Sequence, residues 1–147
     1  MQWLADTLQE AENNNEKVHI IGHIHPFNCL DSWSKNYYKI VNRYESTIVA
    51  QIFGHSHKDE FRINYDLGNK TRATSVAFLG PSVTTSSYLN PGYRVYLIDG
   101  NYEKPSYRVL DYYNVYLNLT EANIYNQTKW RFEYSAKVII NNSIMLI

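Results

Sequence analysis

Four of the five histidines in this chain of 147 residues follow a short apolar run that ends in glycine. "VHIIGHIHP", residues 18–26, releases His23 and His25, and "TIVAQIFGHSH", residues 47–57, releases His55 and His57. Neutral imidazole is a common ligand of zinc and other divalent metals, and a site of defined geometry needs ligands from more than one segment. His55 and His57 stand two apart on backbone expected to be extended, which would turn both side chains to one side, with His23 as the expected third ligand. A bare His-x-His is ordinarily a pair of solvated loop residues. The repeated strand-Gly-His element is what favours a metal site.

The other candidates are plainer. His19 lies between Val18 and Ile20 inside a strand and reads as a hydrogen-bonded packing residue, and His25 before Pro26 could be a weak ligand or a proton donor but reads first as a solvated loop histidine. Ser56 sits in no G-x-S-x-G elbow, and nothing around Cys29 signals a lowered thiol pKa, so neither is expected to be a nucleophile.

The elements that must position these histidines follow from periodicity. Residues 2–12 place Trp3, Leu4, Leu8 and Ala11 on one helical face. "KVHIIG" reads as a short buried strand. "DSWSKNYYKIVNRYES" reads as a helix capped by Asp31, with Trp33, Tyr37, Ile40, Val41 and Tyr44 inward, and "TIVAQIFG" as the next strand. Strand, crossover helix and strand can form a βαβ unit whose two strands run parallel, so both Gly-His elements would emerge at the edge where α/β sheets usually bind ligands. Beyond Asp59 the pattern becomes alternating strands: Phe61, Ile63 and Tyr65, then "ATSVAFLG", "YRVYLI" and a long run over 106–119. Thr120 could cap a further helix. Over 130–138 the spacing of Trp130, Phe132 and Tyr134 suits a strand as well as that of Trp130, Tyr134 and Val138 suits a helix, and "NNSIMLI" is an apolar end.

Composition narrows the function classes. Fourteen Lys and Arg balance fourteen Asp and Glu without a basic run, which speaks against a nucleic-acid partner. There is no apolar stretch of membrane-spanning length and no leader at Met1. Fourteen Tyr lean the composition to β structure. Glycosylation triplets begin at Asn69, Asn118, Asn126 and Asn141, of which Asn118, near a strand end, is expected to be the most open and Asn69, in a turn, the next. About two such triplets are expected by chance at this composition.

The phrases "GHIHP", "CLDSWSKNYYKIVNRYE", "AQIFGHSHKDEF", "VAFLGPSVTT", "LNPGYRVYLIDGNY" and "LNLTEANI" together resemble the carboxyl-terminal half of the acid sphingomyelinase family, within the calcineurin-like metallophosphoesterases. The resemblance runs from about Gln2 to about Tyr134. It implies an α/β (α+β) fold, the carboxyl-terminal half of a β-sandwich flanked by helices. Residues 1–119 would be that half of the catalytic domain and 120–147 the start of a helical extension.

The implied activity is dizinc cleavage of sphingomyelin to ceramide and phosphocholine, in lysosomes or outside the cell, with His23, His55 and His57 as zinc ligands. The family's Asp-x-His, Gly-Asp-x-x-Asp and Gly-Asn-His-Glu segments and its saposin-like lipid-binding module are absent, so the chain is expected to be a fragment, inactive alone, with Cys29 lacking its disulfide partner. The family usually has proline where His25 stands. Two other readings remain open: a non-catalytic secreted glycoprotein holding at most one zinc, and half of a related nucleotide phosphodiesterase.

Overall fold

Apolar periodicity sets the first layer. In helix α1 (Gln2–Asn13) Leu8 and Ala11 are buried, while Trp3 on the same stripe remains 76% exposed. Strand β1 (Val18–Ile21) follows, then a 3-10 turn at Pro26–Asn28 and helix α2 (Asp31–Arg43). Leu30 rather than Asp31 occupies the N-cap, and no side chain caps the helix; Asp31 lies in the first turn and pairs with Lys35 (2.6 Å). The inner face of α2 continues past its end as Ser34, Tyr37, Val41 and Tyr44, with Trp33 stacked on Tyr37 and partly exposed. The computed structural model describes residues 1–144, with side chains to residue 140.

Strand β2 (Ile48–Phe53) pairs parallel with β1, and the expected βαβ unit is present. Strands β3 (Glu60–Tyr65) and β4 (Ala73–Leu79) form a hairpin, but β4 inserts beside β2 and runs parallel to it, giving the order β1-β2-β4-β3. The helices cover one face of this sheet, where Leu8, Tyr37, Val41, Tyr44, Ile48, Phe53, Ala77 and Leu79 make the core. A polar seam crosses it: the Tyr37 hydroxyl donates to Gln51 (2.8 Å), whose amide donates to Ser75 (2.9 Å). Phe61, Ile63 and Tyr65 alternate on one face of β3, as the pattern indicates. They are exposed, and Arg62 and Asn64 take the half-buried side, because an edge strand of this sheet is covered by α2 on that side only.

The second sheet is antiparallel, with strands β5 (Gly92–Ile98), β6 (Val109–Leu117) and β7 (Trp130–Ser135) in that order. It stacks on the uncovered face of the first sheet, where Phe78 meets the rings of Tyr96 and Tyr112 at 5.8 and 5.7 Å. His19 hydrogen-bonds the Tyr107 carbonyl (2.7 Å), a further tie between the layers. Helix α3 (Leu119–Tyr125) is capped by Asn118, whose side-chain Oδ1 accepts from the Glu121 amide (3.0 Å); Thr120 lies inside the helix. Trp130, Phe132 and Tyr134 alternate as a strand, and α4 (Ala136–Ile144) follows directly. The boundary expected at residues 119 and 120 therefore falls within the second layer, since β7 hydrogen-bonds β6.

Candidate metal-ligand edge

Three parallel strands end in glycine at one edge of the first sheet. Gly22 donates to the Ile52 carbonyl (3.0 Å), Gly54 to that of His23 (3.0 Å) and Gly80 to that of Phe53 (2.9 Å), which carries the ladder past the strand ends. A Cβ on Gly22 would come within 3.0 Å of the Phe53 ring, so the first Gly-His turn needs its glycine to approach β2. The third glycine, in "AFLGPS", reaches the same edge only because β4 is parallel to β2. Its sequence signal is the repeated apolar-run-then-glycine pattern.

At that edge the structure brings His23 and His55 together, with ring centroids 5.3 Å apart and planes nearly perpendicular. Both residues are exposed. His57 is half-buried, and among the described residues no three His, Cys, Asp or Glu side chains gather as a metal-holding group. The backbone explains the separation. His55 and His57 adopt φ of 73° and 60°, so the extended geometry that would aim both imidazoles to one side is not the one adopted. Two neighbouring imidazoles suit zinc by donor type and would fill two of its four positions.

His25, expected in solvent, is 1% exposed. Its Nδ1 accepts from the Phe27 amide (3.1 Å), so the ring caps the 3-10 turn and carries its proton on Nε2. Phe53 packs edge-on against it. Burial, aided by the charge of Arg62, pushes the His25 pKa down to about 4. Cys29 is half-buried, and its thiol lies 3.9 Å from the His25 carbonyl. Asn118 is half-buried and occupied as a cap, whereas Asn69 and Asn126 are exposed, the latter in left-handed conformation at the end of α3. That reverses the expected order of openness. The Asn141 side chain lies outside the described residues.

Sequence reasoning missed Asp59. This carboxylate accepts hydrogen bonds from Arg94, Asn114 and Tyr134, one residue from each strand of the second sheet. The one signal for it is a carboxylate two residues beyond a histidine pair.

Fold and edge together define a class: a layered α/β sandwich with paired imidazoles at the carboxyl ends of parallel strands. Residues 72–140 match the family model described as acid sphingomyelin phosphodiesterase C-terminal region. The chain is 56% identical over 138 residues to a human protein named sphingomyelin phosphodiesterase, covering 93% of this chain and 22% of the relative. It is 43% identical over 141 residues to sphingomyelin phosphodiesterase 2 of Caenorhabditis elegans, covering 93% of this chain and 23% of that protein. Mouse acid sphingomyelinase-like phosphodiesterase 3b is 31% identical over 151 residues, with 90% and 32% covered. The chain is thus similar to the carboxyl-terminal region of acid sphingomyelinase family members over most of its own length. It spans about a fifth of the length of the first two of these relatives.

Proposed function

We propose that this chain supplies part of the catalytic unit of a sphingomyelin phosphodiesterase, which hydrolyses sphingomyelin to ceramide and phosphocholine. The observation that carries the reading is the His23–His55 pair at the ligand edge of the sheet. His23, His55 and His57 would hold zinc, with carboxylates and further imidazoles supplied by the rest of the longer protein. Zinc in such a centre polarises phosphoryl oxygens and lowers the pKa of bound water. This chain's residues present imidazoles from two adjacent strand ends, and the Gly54 to His23 backbone hydrogen bond holds the two turns in register. Contact with the lipid surface would fall to a saposin-like module outside this chain. No nucleic-acid partner is implied, and the site of action would be lysosomal or extracellular.

The test is sphingomyelin hydrolysis at acidic pH with added zinc, comparing this chain with the His23→Ala/His55→Ala double variant. Neither is expected to turn over substrate, because the general acid, typically worth ~10²–10⁴-fold, is not among these residues. Turnover by the unmodified chain that vanishes in the double variant would show that these histidines suffice, against the reading of a partial centre.

A further inference from the structure

The turn that carries the second histidine pair is held from a distance. Its local ties are slight: the Ser56 amide reaches the Gly54 carbonyl (2.9 Å) and the Lys58 amide reaches the Ser56 hydroxyl (3.3 Å). Against these, two non-glycine residues, His55 and His57, sit at positive φ. Such conformations are costly for a residue with a side chain and persist only where the surroundings over-determine them. Two residues past His57 the chain meets a fixed point. Asp59 accepts from Arg94 of β5, Asn114 of β6 and Tyr134 of β7.

These donors are themselves immobile. The Arg94 side chain is 2% exposed, its guanidinium lies 4.0 Å over the Tyr112 ring, and its Nε donates to Asn114 (2.9 Å). Asn114 is 1% exposed. Burial, together with the bond to Asp59, raises the Tyr134 phenol above its ordinary pKa, so it stays a donor throughout the physiological range. A buried guanidinium needs a counter-charge, and the Asp59 carboxylate is the anion that meets it. The link is thus enforced from both ends: the second sheet needs Asp59 to neutralise Arg94, and the histidine turn needs it to hold its backbone.

We propose that Asp59 is a positioning residue, gripped by one donor from each strand of the second sheet, which pins the His55–Ser56–His57 turn and so fixes how its imidazoles are presented beside His23. The proposal rests on the metal-ligand reading above for its functional consequence, while the ordering of the turn can be measured without metal.

The experiment uses the 147-residue chain, with Tyr134→Phe and Asp59→Asn as variants and Tyr102→Phe, which removes a hydroxyl bond to Asp99 in another loop, as control. Backbone ¹⁵N relaxation at residues 55–58 is recorded without metal, and zinc affinity and the absorption spectrum of the cobalt form are then measured. In Tyr134→Phe and Asp59→Asn, residues 55–58 should lose order while the rest of both sheets keeps it. Zinc affinity should fall 10–100-fold, the range typical of groups that orient ligands, and the cobalt spectrum should shift. Tyr102→Phe should change none of these. Asp59→Asn leaves Arg94 without its counter-charge and risks unfolding; Tyr134→Phe removes one hydroxyl and keeps the test open. If residues 55–58 stay as ordered in folded Tyr134→Phe as in the unmodified chain, the proposal is wrong. If the unmodified chain takes up no zinc, the metal reading fails, and the relaxation result still decides for or against Asp59.

Discussion

The two Gly-His turns are alike in sequence and unlike in structure. Each offers a histidine directly after glycine and another two residues on. In the first turn His23 is exposed at the edge, while His25 folds inward, caps a 3-10 turn and loses its affinity for protons. In the second, both histidines take left-handed backbone and the turn is tied to another sheet through Asp59. The first is held within its own layer, by the Gly54 amide on the His23 carbonyl (3.0 Å), by Phe53 packed on His25 and by the Ser34 hydroxyl on the Pro26 carbonyl (2.5 Å). The second depends on residues 35 to 75 positions away. One motif therefore serves once as an edge residue with a structural cap, and once as an externally braced turn.

The largest expected contrast is in stability. Asp59→Ala strips a buried arginine of its counter-charge and should cost about 3 kcal/mol, whereas His23→Ala at the exposed edge should stay within about 0.5 kcal/mol. Urea unfolding of the two variants measures this, and equal losses would erase the distinction between the turns.

Acidification should separate them next. The ordinary histidine pKa is 6.5 and that of folded His25 is about 4, so between these values the unfolded chain binds more protons and stability rises with pH. The contribution is complete above 6.5 and is lost as pH falls toward 4, with a size on the order of 1–3 kcal/mol. His25→Pro, which installs the residue usual in the family, should flatten that slope when unfolding is followed at pH 4.5 and 7. An unchanged slope would mean that the protonation of His25 does not govern the first turn.

A smaller effect tests the local tie. Ser34→Ala should cost about 1 kcal/mol and disturb amides near Pro26 without reaching residues 55–58, as amide exchange would show.

The smallest concerns a third turn clamped by a carboxylate, this one on amides of its own turn. Asp66 accepts from the Gly68 and Asn69 amides and from Arg72, led by the arginine, which together hold its pKa down to about 2 from the ordinary 3.8. Its contribution is present above 3.8 and lost as pH falls through about 2. The Gly68 and Asn69 amide resonances should titrate with that midpoint, and Asp66→Asn should abolish the titration. A midpoint near 3.8 would show that this clamp exerts no hold.

Periodicity made the first layer legible, because a helix between two apolar runs leaves few topologies, and the parallel pairing of β1 and β2 followed. It could not decide residues 130–135, where every second residue is aromatic and pairing with β6 alone selects the strand. It left open which side of β3 is buried, because alternation says which residues share a face but not which face is covered. His25 looked like a loop residue since Pro26 follows it, and only the packing of Phe53 and the Phe27 amide makes it a cap. Asp59 was invisible for a related reason: its three partners lie on strands whose registry no local pattern encodes. The pairing of His23 with His55 was readable from the βαβ unit, while the turn of His57 away from extended geometry was not.

The most direct measurement of the central claim is zinc binding to this chain at neutral pH, set against His23→Ala and His55→Ala. The account predicts uptake of one zinc, weakening as pH falls and protons compete for the imidazoles, with at least a 10-fold loss of affinity in either variant. Equal affinity in all three proteins would contradict it and leave the paired histidines without a metal-binding role.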